Sequence, residues 1–255
     1  MKNILKGTEP ALLRQYRINR PNQTWDKFKQ RRSRRQQLKS TVIADQGGIC
    51  AYCEIDLKGA DNHGNADFRV EHFHPKSDDT TAHNWHLNWQ NLLGCCHGGS
   101  CKNVLDAASR FTSPDHSCDV PKGDRNLSGI ILNPLTLPAF PPIFSCDRAS
   151  GELKTALANC QQASVSAAQA TNTLDELRLN AQRLTNLRIT VLNKLNVDMQ
   201  RLIQSGMDVG PARLRLAGRL LRKDNNGHWP PFFSTIRAYL GNEAEQHLTQ
   251  IGYTG

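Results

Sequence analysis

The sequence predicts an α+β chain that is mainly α-helical. Three observations carry this. Amphipathic periodicity with recognisable caps runs through both ends of the chain. A short middle stretch alternates apolar and polar residues as strands do. That same stretch, residues 49–105, concentrates six of the nine histidines and five of the eight cysteines, so its compactness need not come from apolar burial alone.

Taken in order, a short helix is expected over residues 10–20, after Pro10, and a turn over Asn19 to Asn22. Thr24 is a good N-cap for a helix running to about Asp45. Its buried stripe would comprise Trp25, Phe28, Leu38, Val42 and Ile43. Gly47-Gly48 can adopt the positive φ that ends such a helix. Phe68 and Val70 alternate with polar residues as in a short strand, which places Glu71-His72 at its end. Residues 106–150 are loop-rich, with six prolines, and Ile130 to Leu132 suggest one strand. Ser150-Gly151 reads as a turn before Glu152 to Thr155. Leu174, Leu177, Leu184, Val191 and Leu195 recur at helical spacing and predict one long helix from about Thr171 to Ser205. Further helices are expected at Pro211 to Lys223 and Phe233 to Thr249.

The chain has 255 residues and a net charge of +9. Residues 1–40 hold twelve Lys or Arg against Glu9 and Asp26, so this segment is more basic than the whole. A polyanion is the simplest partner for it, with Arg31, Arg32, Arg34 and Arg35 as its densest cluster. The plainer reading is a solvated basic helix face. No run of about 18 apolar residues suggests a membrane span, and residues 1–10 lack the apolar stretch of a secretory signal. A cytoplasmic protein is expected, with its cysteines unpaired.

Cys50-Ala-Tyr-Cys53 is a C-x-x-C unit directly after Gly47-Gly48, and its spacing lets two thiolates reach one tetrahedral metal. The second pair would be Cys101 with Cys95 or Cys96. Four sulfurs without a spare acid fit a closed, structural Zn²⁺. Cys118, Cys146 and Cys160 stand apart and read as ordinary buried thiols. Between the clusters lies Phe68-Arg-Val-Glu-His-Phe-His-Pro-Lys-Ser77, and then Trp89-Gln-Asn-Leu-Leu93. A neutral imidazole is a suitable base near neutral pH.

C-x-Y-C-E, then E-H-F-x-P-K-S, then W-x-N-L-L and a closing cysteine cluster resemble the HNH endonuclease superfamily, in detail its retron-linked and Septu-type, PtuB-like branch. Ile131-Leu-Asn-Pro134 and Leu174-Asp-Glu-Leu-Arg-Leu-Asn180 extend the likeness over most of the chain. The resemblance implies a ββα-metal (HNH) nuclease core with a four-cysteine zinc site (Cys50, Cys53, Cys96, Cys101), flanked by a basic N-terminal helix and a C-terminal helical region. The corresponding segments are 1–48, 49–150 with a loop-rich extension, and 151–255, the last for partner docking.

The resemblance further implies that His72 is the general base, that Glu71 holds a catalytic Mg²⁺ or Mn²⁺, and that Asn91 pins the loop carrying His72. The last metal ligand would be Asn103, with His97 as the alternative. Lys76 would meet phosphate, and His74 would either assist there or be a surface residue. His63, His83 and His86 read as loop residues, and Trp85 and Trp89 as core. Implied partners are a nucleic acid (DNA, or RNA such as tRNA), an ABC/SMC-type ATPase (PtuA-like) and, in retron versions, a reverse transcriptase with its RNA–DNA product, in antiphage defence. The competing readings are a zinc-stapled binding module without catalysis, or a scaffold subunit. An acid and a base at one strand end favour the nuclease.

Overall fold

A computed structural model describes residues 1–59 and 66–255; His63 lies outside them. The fold is helix-rich with two small antiparallel sheets. Three helices come first: α1 (Ala11–Asn19), α2 (Trp25–Lys29) and α3 (Arg32–Gln46). Strands β1 (Arg69–His72) and β2 (Leu92–Cys95) pair antiparallel, with Glu71 opposite Leu93 and His72 opposite Leu92. Two one-turn helices come next, α4 (Ala107–Arg110) and α5 (Asp119–Lys122), then the hairpin β3 (Phe144–Cys146) and β4 (Leu153–Thr155). The remainder is helical: α6 (Leu157–Gln162), α7 (Ala167–Glu176), α8 (Gln182–Gln204), α9 (Val209–Leu220), α10 (Phe233–Leu240) and α11 (Asn242–Gln250). No helix among the described residues is long and apolar enough to cross a membrane.

Several expected elements are divided. Thr24 does N-cap a helix, accepting from the Lys27 amide, but that helix ends at Lys29 and Arg31 is extended (φ −82°, ψ 120°). The nine residues between Phe28 and Leu38 include no apolar side chain, so no stripe holds the two halves on one axis. The long helix expected over 171–205 also breaks. α7 ends in a turn: Leu177 has φ −92° and ψ 1°, Arg178 is left-handed at φ 46°, and the Leu179 amide reaches back to the Leu174 carbonyl, while Leu177, Leu179 and Ala181 stay buried. Between them the Asn180 side chain pairs with Leu153 as a strand would: Oδ1 accepts from the Leu153 amide at 2.8 Å and Nδ2 donates to its carbonyl at 2.9 Å. Gly241, at φ 65°, divides the last helix. Ile130 to Leu132 form no strand; the Leu132 amide is taken by the Thr173 hydroxyl instead.

The buried apolar residues form two groups. One joins α1–α3, the β1–β2 sheet, the hairpin and α6–α7. The other lies among α8–α11. Gln46, 1% exposed, joins the end of α3 to strand β2: its amide donates to the Ile49 and Gly94 carbonyls and accepts from the Gly94 amide. The Met1 ammonium lies 3.2 Å from Glu54, whose carboxylate also accepts from the amide and hydroxyl of Ser234 at the head of α10. Burial opposes ionisation of Glu54, but these partners outweigh it and hold its pKa below the usual value.

Trp89 belongs to the first group and donates to the Gly7 carbonyl. The Lys6 ammonium sits 3.2 Å from its ring centroid and has no hydrogen-bond partner among the described residues. Burial lowers its pKa to about 7 from 10.5. The unfolded chain would keep that proton up to about 10.5, so stability rises with pH between these values and the burden is full below the lower one. Lys6→Met is therefore expected to stabilise by about 1–2 kcal/mol near pH 6 and by less near pH 9. Thermal melts at the two pH values check this; an unchanged midpoint at both would refute it.

Candidate active site and zinc centre

The sheet, α3 and the 117–124 segment meet in two adjoining places. The first is a group of thiols. Sγ atoms of Cys50, Cys53, Cys96 and Cys118 all lie within 4.8 Å of one another, and all four residues are buried. Cys53–Cys96, Cys96–Cys118 and Cys50–Cys118 are 3.6, 3.8 and 3.9 Å apart. A tetrahedron with Zn–S bonds of about 2.3 Å has edges of about 3.8 Å, whereas a disulfide is about 2.05 Å. The spacing therefore fits a zinc ion.

The local chain explains the geometry. Cys50 to Ile55 form a tight turn, with the Cys50 amide on the Ile55 carbonyl, the Glu54 amide on the Cys50 carbonyl and Glu54 at φ 63°. The Cys96 amide points at the Cys50 sulfur, 3.4 Å away. On the far side Gly98 is indispensable: a Cβ there would lie 2.2 Å from the Ser117 carbonyl oxygen. The close approach brings Ser117-Cys118 beside Cys96. Cys118 itself has φ 63°, a conformation that costs a non-glycine residue about 1–3 kcal/mol and persists only where surroundings enforce it. Its amide donates to Leu177, in the break between α7 and α8, and Arg183 holds Ser117 through a 2.6 Å hydrogen bond.

Cys118 thus corrects the expected ligand set. Cys101 is partly exposed, in the turns after Cys96, and is not among the four clustered thiols. Cys96 rather than Cys95 joins the group; Cys95, also buried, has its thiol beside that of Cys50 but is not one of the four mutually close sulfurs. Burial opposes ionisation of Cys50, yet its sulfur neighbours hold its pKa well below the usual value and push that of Cys118 up. Several thiolates crowded in one buried place need a compensating cation.

The second place is a cleft of about 590 Å³ lined by Glu71, His72, Lys76, Asp119, Lys122 and the basic residues Lys29, Arg35 and Lys39. His72 is 6% exposed and meets the edge of Trp25 at 5.2 Å. Its Nε2 lies 3.2 Å from the His86 carbonyl oxygen. A carbonyl can only accept, so Nε2 carries the proton and Nδ1 the lone pair. Burial, with Lys76, His86 and Lys122 acting in the same direction, lowers the His72 pKa to about 3, against the hydrogen bond to His86. The imidazole is neutral at physiological pH.

Asn91 secures the loop after His72: Oδ1 accepts from the His74 amide at 2.7 Å, and Nδ2 donates to the carbonyls of His74 and Trp85. His74 is held between Asp78 and Ser128 and stacks on Trp85, so its ring braces this loop.

Two acids share the floor of the cleft. Glu71 is 8% exposed and Asp119 7%. Lys122, 1% exposed, lies 2.8 Å from Glu71 and donates to the His72 carbonyl. Arg69 lies 2.5 Å from Asp119 Oδ2, while Asp119 Oδ1 is buried with no hydrogen-bond partner among the described residues. Burial, reinforced by the charge of Asp119, raises the Glu71 pKa to about 7 despite Lys122, and burial raises that of Asp119 too. A divalent cation fits this donor set: two buried carboxylates, one with an unsatisfied oxygen.

Neither expected third ligand reaches the cleft. His97 lies 3.2 Å from Asp67 and lines a different, small cavity beyond the thiols. Asn103 is exposed in a turn. The physical reason is that the chain does not enter a helix after Cys96; it turns at Gly98 and Gly99, both at positive φ. Asp119 and Lys122 come instead from α5, immediately after Cys118. Of the basic cluster, Arg35 lines the cleft, and Arg31 and Arg32 are exposed. Arg34 packs its guanidinium over Tyr16 and Phe28.

Similarity to a known protein decides the family. The chain is 33% identical over 257 aligned residues to a protein of Escherichia coli named as a putative HNH endonuclease of retron Ec83, covering 93% of this chain and 92% of that one. The chain belongs to the retron-linked HNH endonucleases. No family model matches it. For an HNH endonuclease the residues missed by sequence reasoning are Cys118, Asp119 and Lys122. They stand together as Cys118-Asp-Val-Pro-Lys122, a thiol with an acid beside it, and that juxtaposition was the available signal.

Proposed function

We propose that this enzyme hydrolyses phosphodiester bonds of DNA or RNA with His72 as general base and a Mg²⁺ or Mn²⁺ ion held by Glu71 and Asp119, while Cys50, Cys53, Cys96 and Cys118 hold a structural Zn²⁺. The observation that carries the reading is one cleft in which a neutral imidazole, two buried carboxylates and several basic side chains converge. His72 Nδ1 would take the proton of an attacking water. When bound, the divalent ion supplies charge stabilisation at the phosphate. Asn91 fixes the loop that orients His72, and Lys76 and Arg35 hold the phosphate backbone. On this reading strands β1 and β2 and the single turn of α5 would stand where the ββα unit of such enzymes does. A purely binding cleft would have no need of a neutral imidazole beside two buried acids, which argues against a purely binding role.

The likeness to a retron-named protein supports a place in antiphage defence. There the chain would work with a PtuA-like ABC/SMC ATPase and a reverse transcriptase with its RNA–DNA product, in the cytoplasm.

Incubation of the protein, alone and with its partners, with plasmid, single-stranded DNA and total RNA should yield new ends only when Mg²⁺ or Mn²⁺ is present. Asp119→Asn should raise the concentration of that ion required by about tenfold or more, the cost of one lost charged ligand, whereas His97→Ala should not. Absence of cutting of every polymer would overturn the function; a dependence on His97 and not Asp119 would overturn the ligand assignment.

A further inference from the structure

The catalytic cleft does not stand alone. A second cleft of about 550 Å³ shares Arg35 and Lys39 with it and adds Arg32 and His228. A third, of about 640 Å³, shares His228 with the second and is lined by Arg219, Arg222 and Lys223. The shared residues set the three clefts side by side along α3 and out to the 219–231 segment after α9.

Beyond the catalytic cleft, charge along this path is mostly positive. No acid lines the second cleft among the described residues. Asp224 lines the third, but its Oδ1 already accepts the amides of Asn226 and His228. Among the described residues Arg32, Arg35, Arg222 and Lys223 form no ion pair, whereas Arg219 is held by Asp198. Cations that form no ion pair, set along a row of adjoining clefts, match a phosphate backbone.

The third cleft is also fixed relative to the first. The Trp229 amide donates to the Gly47 carbonyl at 2.8 Å. A Cβ at Gly47 would lie 2.4 Å from the Trp229 ring, and one at Gly48 would lie 2.4 Å from the His228 ring. The two glycines that end α3 and lead into Cys50 are thus the seat on which the 228–229 segment rests.

We propose that a nucleic-acid strand engaged at the catalytic cleft continues over α3 into the third cleft, so that the C-terminal region forms part of the substrate surface. The inference rests on the nuclease reading above, and the occupant is a polynucleotide long enough to leave the active site.

The test uses the full chain carrying His72→Ala, with fluorescent single strands of about 8 and about 30 nucleotides, in Mg²⁺ at several salt concentrations. Combining Arg222→Ala and Lys223→Ala in that background should weaken binding of the long strand by about tenfold and lower its salt slope by about 1.4, two contacts' worth for a single strand. The short strand should bind as before, while Arg35→Ala weakens both. Equal binding of the long strand with and without Arg222 and Lys223 overturns the extended path and leaves the nuclease reading intact. Failure of the parent to bind either strand overturns both.

Discussion

Cys118→Ser is expected to abolish zinc binding and unfold the region around the catalytic cleft. A structural four-thiolate zinc contributes about 10–16 kcal/mol in small domains, as much as or more than the whole stability of an ordinary one, about 5–15 kcal/mol. Here the metal would join the turn after α3, the end of β2 and the 117–118 segment, and Cys118 is in a backbone conformation its surroundings must enforce. Elemental analysis should find about one zinc per chain in the parent protein and none in the variant, with the melting transition lowered or lost. Cys101→Ser is the matched comparison: a partly exposed thiol outside the group, it should keep both zinc and the transition. The reverse pattern, zinc lost with Cys101 and kept without Cys118, would refute the assignment.

His72→Ala should leave strand binding near that of the parent and reduce cutting by about 10²–10⁴-fold, the range for loss of a positioned general base. Undiminished cutting would eliminate His72 as the base. The pH dependence has a definite sign. With its pKa lowered to about 3, His72 should not impose a loss of activity near its ordinary value of 6.5 as pH falls. Glu71 does titrate near neutrality, at about 7, and only its ionised form holds a cation. Affinity for Mg²⁺ or Mn²⁺ should therefore rise as pH increases through that value, measured as the cation concentration giving half-maximal cutting.

The parts of this fold that rest on short-range chemistry were legible in the sequence. Thr24 as a cap, Gly47-Gly48 as a helix end, the Cys50–Cys53 turn and Glu71-His72 at a strand end all depend on near neighbours. What was not legible depends on residues far apart. Nothing near Leu177 announces that Asn180 will pair with the Leu153 backbone and break a helix whose apolar period runs on. Nor does anything near Cys118 announce that Gly98 will admit the Ser117 carbonyl and seat the thiol by Cys96. Cys101 lies five positions after Cys96 and offers a plausible partner by spacing alone. Spacing decides only when the intervening chain is short enough to have few ways to return.

Cys118 and Asp119 are consecutive, so the thiol group and the acid floor of the cleft are two ends of one peptide unit. A chelator therefore cannot be read as a probe of one metal. Stripping the sulfur-bound ion would release Asp119 and Lys122 along with Cys118, and activity would vanish whether or not the hydrolytic step uses a second ion. Restoring Mg²⁺ alone would then fail for reasons of architecture, and only re-addition in sequence, zinc before magnesium, separates an ion that builds the site from one that works in it.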